Sequence, residues 1–405
     1  MKGNNIRILE ITNIEESIRE LSKIASNGRA VTKLGEEFVV RTLKLKGIDS
    51  REANIMKCEA YACGMSAYIP EDVMLFNSAK SDILISGTIS QFTALCYRLK
   101  NQMLLLPEIA EKIKNTIVNY DIYGRECEIK GKKFQFSNKG YIMGILNITP
   151  DSFSDGGKYF GNIDDAVRRA VAMLEEGADI IDIGAESTRP GASYVSKEEE
   201  IDRIVPVIEK IVKETGAIIS VDTYKSETAR EALKAGAVIV NDISGLKSDV
   251  KMAEVVSDAD AAVVIMHMQG VPQNMQDNPQ YEDVVEDVIS ELKESISIAK
   301  IAGIQDNKIV VDPGLGFGKS LKDNLEIVNR LKEFKTLGYP ILIGGSRKSM
   351  VGNVLNLPVE ERVEGSLAVA AAAAMNGASV FRVHDVKETK RVIQMIDAIK
   401  NCCKE

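Results

Sequence analysis

Polar side chains with chemical potential recur at the ends of short apolar runs. They are Asn147; Glu186 with Ser187, Thr188 and Arg189; Asp222; Asn241; His267; Asp312; Ser346, Arg347 and Lys348; and Arg382 with His384. Asp222, Asn241 and Asp312 beside Lys348 make a mixed ring of acceptors and donors. A carboxylate matches the two parallel N–H donors of a cyclic guanidine edge. An Asn can complete that edge, and a Lys can donate to a ring carbonyl or nitrogen. The set suits a bicyclic guanidine-bearing ring, pterin or guanine-like, held deep with a phosphate-bearing tail at the rim. Arg382 and His384 are two residues apart in an extended run, so they point the same way and could grip one anion together. His267 lacks such a neighbour, and its role stays open. Asn147 and Asp155 supply hard oxygens of the kind Mg²⁺ accepts together with phosphate. Arg189, in ESTRPG (Glu186–Gly191), can fork onto phosphate or carboxylate. An arginine in a loop more commonly faces solvent, and its place after an apolar run is what raises the functional reading.

These residues need a frame that brings them together. Eight apolar runs read as strands: Tyr141–Leu146, Asp179–Ile183, Ala217–Val221, Ala237–Val240, Ala261–Met266, Lys308–Val311, Pro340–Ile343 and Ser379–Val383. Helical periodicity follows most of them. Ile201, Ile204, Val205, Ile208, Ile211 and Val212 share one face, and Asp165–Glu176 and Asp283–Ala302 read similarly. EEGAD, KAGAV and IAGIQ place glycine where helices end. Eight strand–helix units predict a (β/α)₈ barrel over residues 138–405, with a doubly wound open sheet as the alternative. In a barrel every strand end converges on the C-terminal mouth, which gives the polar residues one address.

The loops carry further signals. NITPDSFSDGG (Asn147–Gly157) suits a mobile loop that closes over substrate. DPGLGFGKS (Asp312–Ser320) ends like a P-loop, but Pro313 stands where that motif needs its first glycine, and a barrel is the wrong setting for it. The nucleotide-hydrolase reading is therefore rejected; its glycines suit close backbone approach to a flat ligand, with Phe317 lining the site. GGSRKSM (Gly344–Met350) follows the seventh strand, where barrels often hold phosphate, and Ser349 falls near a helix start.

Residues 1–137 lack this rhythm and predict an accessory α+β domain without an assigned role. Helices are expected near 14–26, 51–63, 88–100 and 107–118, and strands near 38–43, 73–76 and 83–86. Lys130–Phe136 (KGKKFQF) reads as a strand or hairpin leading into the barrel.

Composition bounds the partners. Lys plus Arg is 51 against 59 Asp plus Glu, a net charge of −8, which argues against nucleic acid. The apolar stretch Leu367–Met375 is far too short for a membrane span, and the start has no secretory apolar region. Six cysteines without paired CxxC knuckles, and two histidines, make a structural zinc improbable and fit a reducing cytoplasm.

In order and spacing, NITPDSFSDGG, GAESTRPG, VDTYK, NDISG, DPGLGFGK, GGSRKSM and RVHDV resemble the dihydropteroate synthases of folate biosynthesis over about residues 139–405. The resemblance implies condensation of 6-hydroxymethyl-7,8-dihydropterin diphosphate with p-aminobenzoate, giving 7,8-dihydropteroate and diphosphate, with Mg²⁺. It implies that Asp222, Asn241, Asp312 and Lys348 hold the pterin against Met266. Asn147, Arg382 and His384 would grip the diphosphate, with Asn147 and Asp155 placing Mg²⁺. Thr188, Arg189, Pro190, Phe153, Phe317 and Ser349 would form the p-aminobenzoate site. Two rivals share part of the pattern: a pterin-dependent methyltransferase serving a corrinoid protein, and a non-catalytic pterin-binding protein. The first needs no diphosphate grip, and the second expects gaps in the anion or metal set. The Ala-rich stretch Ser366–Met375 suggests close helix packing, inside the fold or across a homodimer contact, and the resemblance favours the dimer.

Overall fold

The computed structural model describes residues 6–24, 31, 33–121, 126–137, 139–148, 163–187, 194–271 and 274–402. The chain divides into two compact units, 1–121 and 122–405.

In the first unit, strands β1 (Val40–Asp49), β2 (Ser66–Tyr68) and β3 (Lys80–Thr88) form an antiparallel sheet in the order β1–β3–β2. The helices Ser50–Ala62, Ile89–Lys100 and Leu106–Asp121 bury Met56, Phe92, Leu95, Leu99 and Ile113 against it. The strand expected near 73–76 is instead a short helix, Glu71–Met74. Pro70 precedes it, and Glu71 and Asp72 sit in its first turn, a start signal that outweighs the apolar run Val73–Leu75.

The second unit begins with a hairpin, β4 (Glu126–Ile129) and β5 (Lys132–Gln135). Lys130 and Gly131 make its two-residue turn with φ of 51° and 74°, the left-handed pair that matches strand twist. The hairpin lies in the barrel's unit, so the division falls before it and not near residue 137. Phe134, Phe136, Cys127 and Ile129 pack with Met143, Ile180, Ile239, Val264, Leu342 and Val380, plugging the barrel floor with apolar side chains.

Eight parallel strands close the barrel: β6 (Tyr141–Asn147), β7 (Ile180–Gly184), β8 (Ile219–Asp222), β9 (Ile239–Asp242), β10 (Ala262–Met266), β11 (Ile309–Asp312), β12 (Ile341–Ile343) and β13 (Ala378–Val383), which pairs back onto β6. Helices Ile163–Glu176, Lys197–Thr215, Ser226–Lys234, Met252–Asp258, Val284–Ile301, Leu321–Asn329, Val363–Met375 and Val386–Asn401 form the outer layer. The strands are buried on both faces, which is why they read as continuous apolar runs. Ile204, Ile208 and Ile211 on one face of Lys197–Thr215 meet Ile181, Ile183 and Val221 in the strand–helix core.

Side chains alternate along a strand. Two residues beyond several floor residues the barrel interior turns polar: Ile180 leads to Asp182, Ile239 to Asn241, Val310 to Asp312 and Val380 to Arg382, while Val264 leads to the apolar Met266. The apolar plug below and this polar layer above share one period of two.

Candidate active site at the barrel mouth

Arg382 is the hub of the polar layer. Its Nε donates to Asp182 Oδ2 at 2.6 Å and its Nη2 to Asp222 Oδ2 at 2.6 Å. Asn241 Nδ2 donates to the same Asp182 oxygen at 3.1 Å. Asp182 is fully buried, and its Oδ1 has no hydrogen-bond partner among the described atoms. The register sets Asp222 beside Asn241 on one side and Gly184 on the other, so these groups meet at one height.

Burial pushes the Asp222 carboxyl up to about 7; Arg382 pulls it down, and Asp182 pushes it up further. Burial also opposes the charge of Arg382, but Asp182 and Asp222 outweigh it and hold the guanidinium above its ordinary range. Asp312 is raised by burial against the pull of Lys348 and of the Gly314 N–H, which donates to its Oδ1 at 2.7 Å. Burial lowers Lys348 to about 8, opposed by Asp312. Its Nζ donates to the Leu315 carbonyl and lies 4.5 Å from the centre of the Phe317 ring.

The loop after β11 requires its glycines. Gly314 and Gly318 have φ of 71° and 61°, and a Cβ on either would run into the carbonyl oxygens of His267 and Gln269. This close approach stacks the loop on the end of β10, beside Met266.

His384 lies just past β13, where its Nδ1 is 3.1 Å from Ser346 Oγ and its N–H donates to the same oxygen. Arg382 therefore turns to two carboxylates while His384 turns to the loop after β12. In that loop Arg347, at φ 55°, forks onto Asp385 with Nε–Oδ2 at 2.9 Å. Ser349 opens the helix Ser349–Leu355, with Lys348 as its N-cap residue.

Just past the end of β7, Glu186 joins a second cluster. Lys225 Nζ donates to Glu186 at 2.5 Å and Glu200 at 3.0 Å, and Tyr224 Oη donates to Glu186 at 3.2 Å. These groups satisfy one another.

The family model described as pterin binding enzyme matches residues 143–384. The chain belongs to the pterin binding enzyme family. The dihydropteroate synthase of Clostridium beijerinckii is 50% identical over 273 residues, 67% of this chain and 98% of that one. A probable bifunctional folylpolyglutamate synthase/dihydropteroate synthase of Halobacterium salinarum is 38% identical over 395 residues, 96% of this chain and 47% of that one. The crystal structure of Yersinia pestis dihydropteroate synthase in complex with a sulfonamide drug is 44% identical with a TM-score of 0.65, covering 68% of this chain and all of that one.

Within this family frame the structure gathers Asp222, Asn241, Met266, Asp312, Phe317, Lys348, Ser349, Arg382, His384 and Asn147 at strand ends or in the loops just after them. Phe153, Asp155, Thr188, Arg189 and Pro190 lie outside the described residues. Sequence reasoning missed Asp182 because it sits inside an apolar run and not at its end. The signal was available in the inward period, since Asp182 follows Ile180 by two.

Proposed function

We infer that the protein is a dihydropteroate synthase, a transferase that condenses 6-hydroxymethyl-7,8-dihydropterin diphosphate with p-aminobenzoate to 7,8-dihydropteroate and diphosphate in folate biosynthesis. The observation that carries the reading is the ring of buried Asn241 and Asp312 with half-buried Asp222, Lys348 and Arg382 at the mouth of a barrel half identical to such a synthase. The corrinoid methyltransferase and non-catalytic readings are not favoured by these relatives.

In this proposal Asp222 and Asp312 take the guanidine edge of the pterin, Asn241 completes it, and Lys348 donates to the ring. Burial raises both carboxyls above the ordinary range, Asp222 to about 7, so a cationic or donor-rich edge favours their charged form on binding. Met266 forms an apolar wall beneath the ring. Arg382, His384 and Asn147 receive the diphosphate, where fixed donors stabilise the charge that develops as the C–O bond breaks. The pterin methylene, left electron-poor, is attacked by the arylamine. That amine is a neutral, weakly basic nucleophile and needs orientation more than a strong base. Phe317, Ser349, Phe153, Thr188, Arg189 and Pro190 are proposed to orient it.

Mg²⁺ is proposed to join at Asn147 and Asp155. Among the described residues no group of three or more His, Cys, Asp or Glu could hold a metal. One amide oxygen on β6 with substrate phosphate oxygens suits an ion that keeps few protein ligands. Bound there, it would offset charge on the leaving diphosphate.

Residues 1–121 are proposed as an accessory α+β domain, and the Halobacterium relative aligns across them as well. Pairing of the barrel with a second copy is proposed through outer helices that expose Leu325, Val354, Leu355 and Met375. A reducing cytoplasmic setting is proposed from the free thiols Cys58, Cys63, Cys96 and Cys127; no described helix is long and apolar enough to cross a membrane. Diphosphate release that requires both substrates and Mg²⁺ tests the function. Release without p-aminobenzoate, or none with both substrates, overturns it.

A further inference from the structure

The end of DPGLGFGKS has no part in the reaction as derived above, yet Lys319 is among the most buried lysines of the chain, 3% exposed. Its Nζ lies 2.9 Å from His267 Nδ1, 3.0 Å from the Phe317 carbonyl oxygen and 3.4 Å from the His267 carbonyl oxygen. An ammonium has three donors and no acceptor, and three acceptors face it. His267 is equally buried. Burial, and then Lys319 itself, holds its imidazole below its ordinary pKa; Nδ1 faces the Lys319 ammonium, and Nε2 lies 3.5 Å from Glu291 Oε2.

This contact ties two strand ends together. The His267 N–H donates to the Asp312 carbonyl at 2.9 Å, so β10 and β11 run side by side to that point. Beyond it, the 313–318 loop folds back over His267 and Gln269, at Gly314 and Gly318. Lys319 fastens its far side to His267, while Lys348 donates to Leu315 on its near side. The loop that carries Phe317 is thus held between two lysines, one facing the mouth and one behind.

We propose that Lys319 is a positioning residue of the synthase, acting through His267 and the Phe317 carbonyl to hold Met266, Asp312 and Phe317 in their working places. The proposal rests on the function inferred above. Burial lowers Lys319 to about 7, and in its charged form it pulls the Asp312 carboxyl toward ionisation alongside Lys348.

The test compares Lys319→Met with His267→Gln, which leaves Lys319 a side-chain acceptor. Both are assayed well below their melting temperatures. Lys319→Met should raise KM for the pterin diphosphate roughly tenfold or more, exceeding its fall in kcat, because the wall shifts while the diphosphate grip is untouched. Direct titration with the pterin diphosphate, without p-aminobenzoate, should show the same weakening. His267→Gln should stay within about threefold of wild type. A Lys319→Met protein with a lowered melting temperature but unchanged KM and binding would make Lys319 a strut only and overturn the proposal. So would His267→Gln as impaired as Lys319→Met. Should Lys319→Met fail to fold, the same titration on Lys319→Arg decides. Retained cationic contacts should keep affinity within about tenfold, and a greater loss despite a folded protein overturns the proposal. If wild type binds pterin but releases no diphosphate, the synthase reading fails while the titration still judges Lys319.

Discussion

Replacing Asp182 by Asn should separate the charge of this residue from its shape. Asp182 receives both Arg382 Nε at 2.6 Å and Asn241 Nδ2 at 3.1 Å on one oxygen, while its other oxygen has no partner. An Asn can keep its carbonyl toward the two donors and put its NH₂ where the unpartnered oxygen was. The change therefore keeps the acceptor and removes the charge. A hydrogen bond to a charged group contributes about 1.5–3 kcal/mol and a neutral one about 0.5–1.5 kcal/mol, so the expected loss in stability is about 1–1.5 kcal/mol. Asp182→Ala removes the acceptor as well and leaves a largely buried guanidinium with one partner, and about 3–5 kcal/mol is expected. The same substitution has an electrostatic signature. Asp182 raises Asp222, whose carboxyl stands at about 7, so removing the neighbouring charge must lower it. The acid limb of the kcat/KM profile for the pterin substrate should then move to lower pH. Denaturant unfolding gives the stabilities, and diphosphate release from pH 5 to 9 gives the limb. Asn and Ala variants equal in stability to wild type, with an unmoved acid limb, would refute the placing of Asp182 at the centre of this network.

Three more outcomes are expected. In wild type, kcat/KM should be bell-shaped: Asp222 must lose its proton as pH rises through about 7, and Lys348 loses its charge through about 8. Lys348→Arg should abolish the alkaline limb even where activity is low, and an alkaline limb that persists would assign it elsewhere. Gly314→Ala meets both a φ of 71° and the His267 carbonyl, so a loss of at least about 2 kcal/mol with a raised pterin KM is expected in unfolding and steady-state assays. Chains beginning at residue 122 and at residue 138 should differ sharply. The first keeps the β4–β5 plug and should unfold cooperatively. The second uncovers Met143, Ile180, Leu342 and Val380 and should aggregate, which light scattering would detect.

The eight barrel strands were legible because each is buried on both faces and must be apolar almost throughout. Within the first unit the reading was weaker. Strand β2, three residues long with its side chains mostly outward, gave no run to see, and Val73–Leu75 gave a run that folds as helix. Candidate site residues were legible where a polar group ends an apolar run. Asp182 was hidden in the middle of one, because end positions announce themselves and interior ones show only through the alternation of neighbouring strands.

Residue types and order alone determined the eight strand–helix units, the mouth as the common address of the polar residues, and the kind of ring and anion they suit. These are local properties, fixed by periodicity and by chemistry that each side chain carries wherever it lies. Tertiary structure decided how those groups are used against one another. It paired Arg382 with Asp182 and Asp222, partners 200 and 160 residues away, and set His384 on Ser346 instead. It also turned Lys319 inward onto His267 and gave the hairpin to the barrel floor. Such pairings depend on which strands close beside one another and at what register, and on which charges burial leaves needing a partner. No local run of sequence contains either quantity.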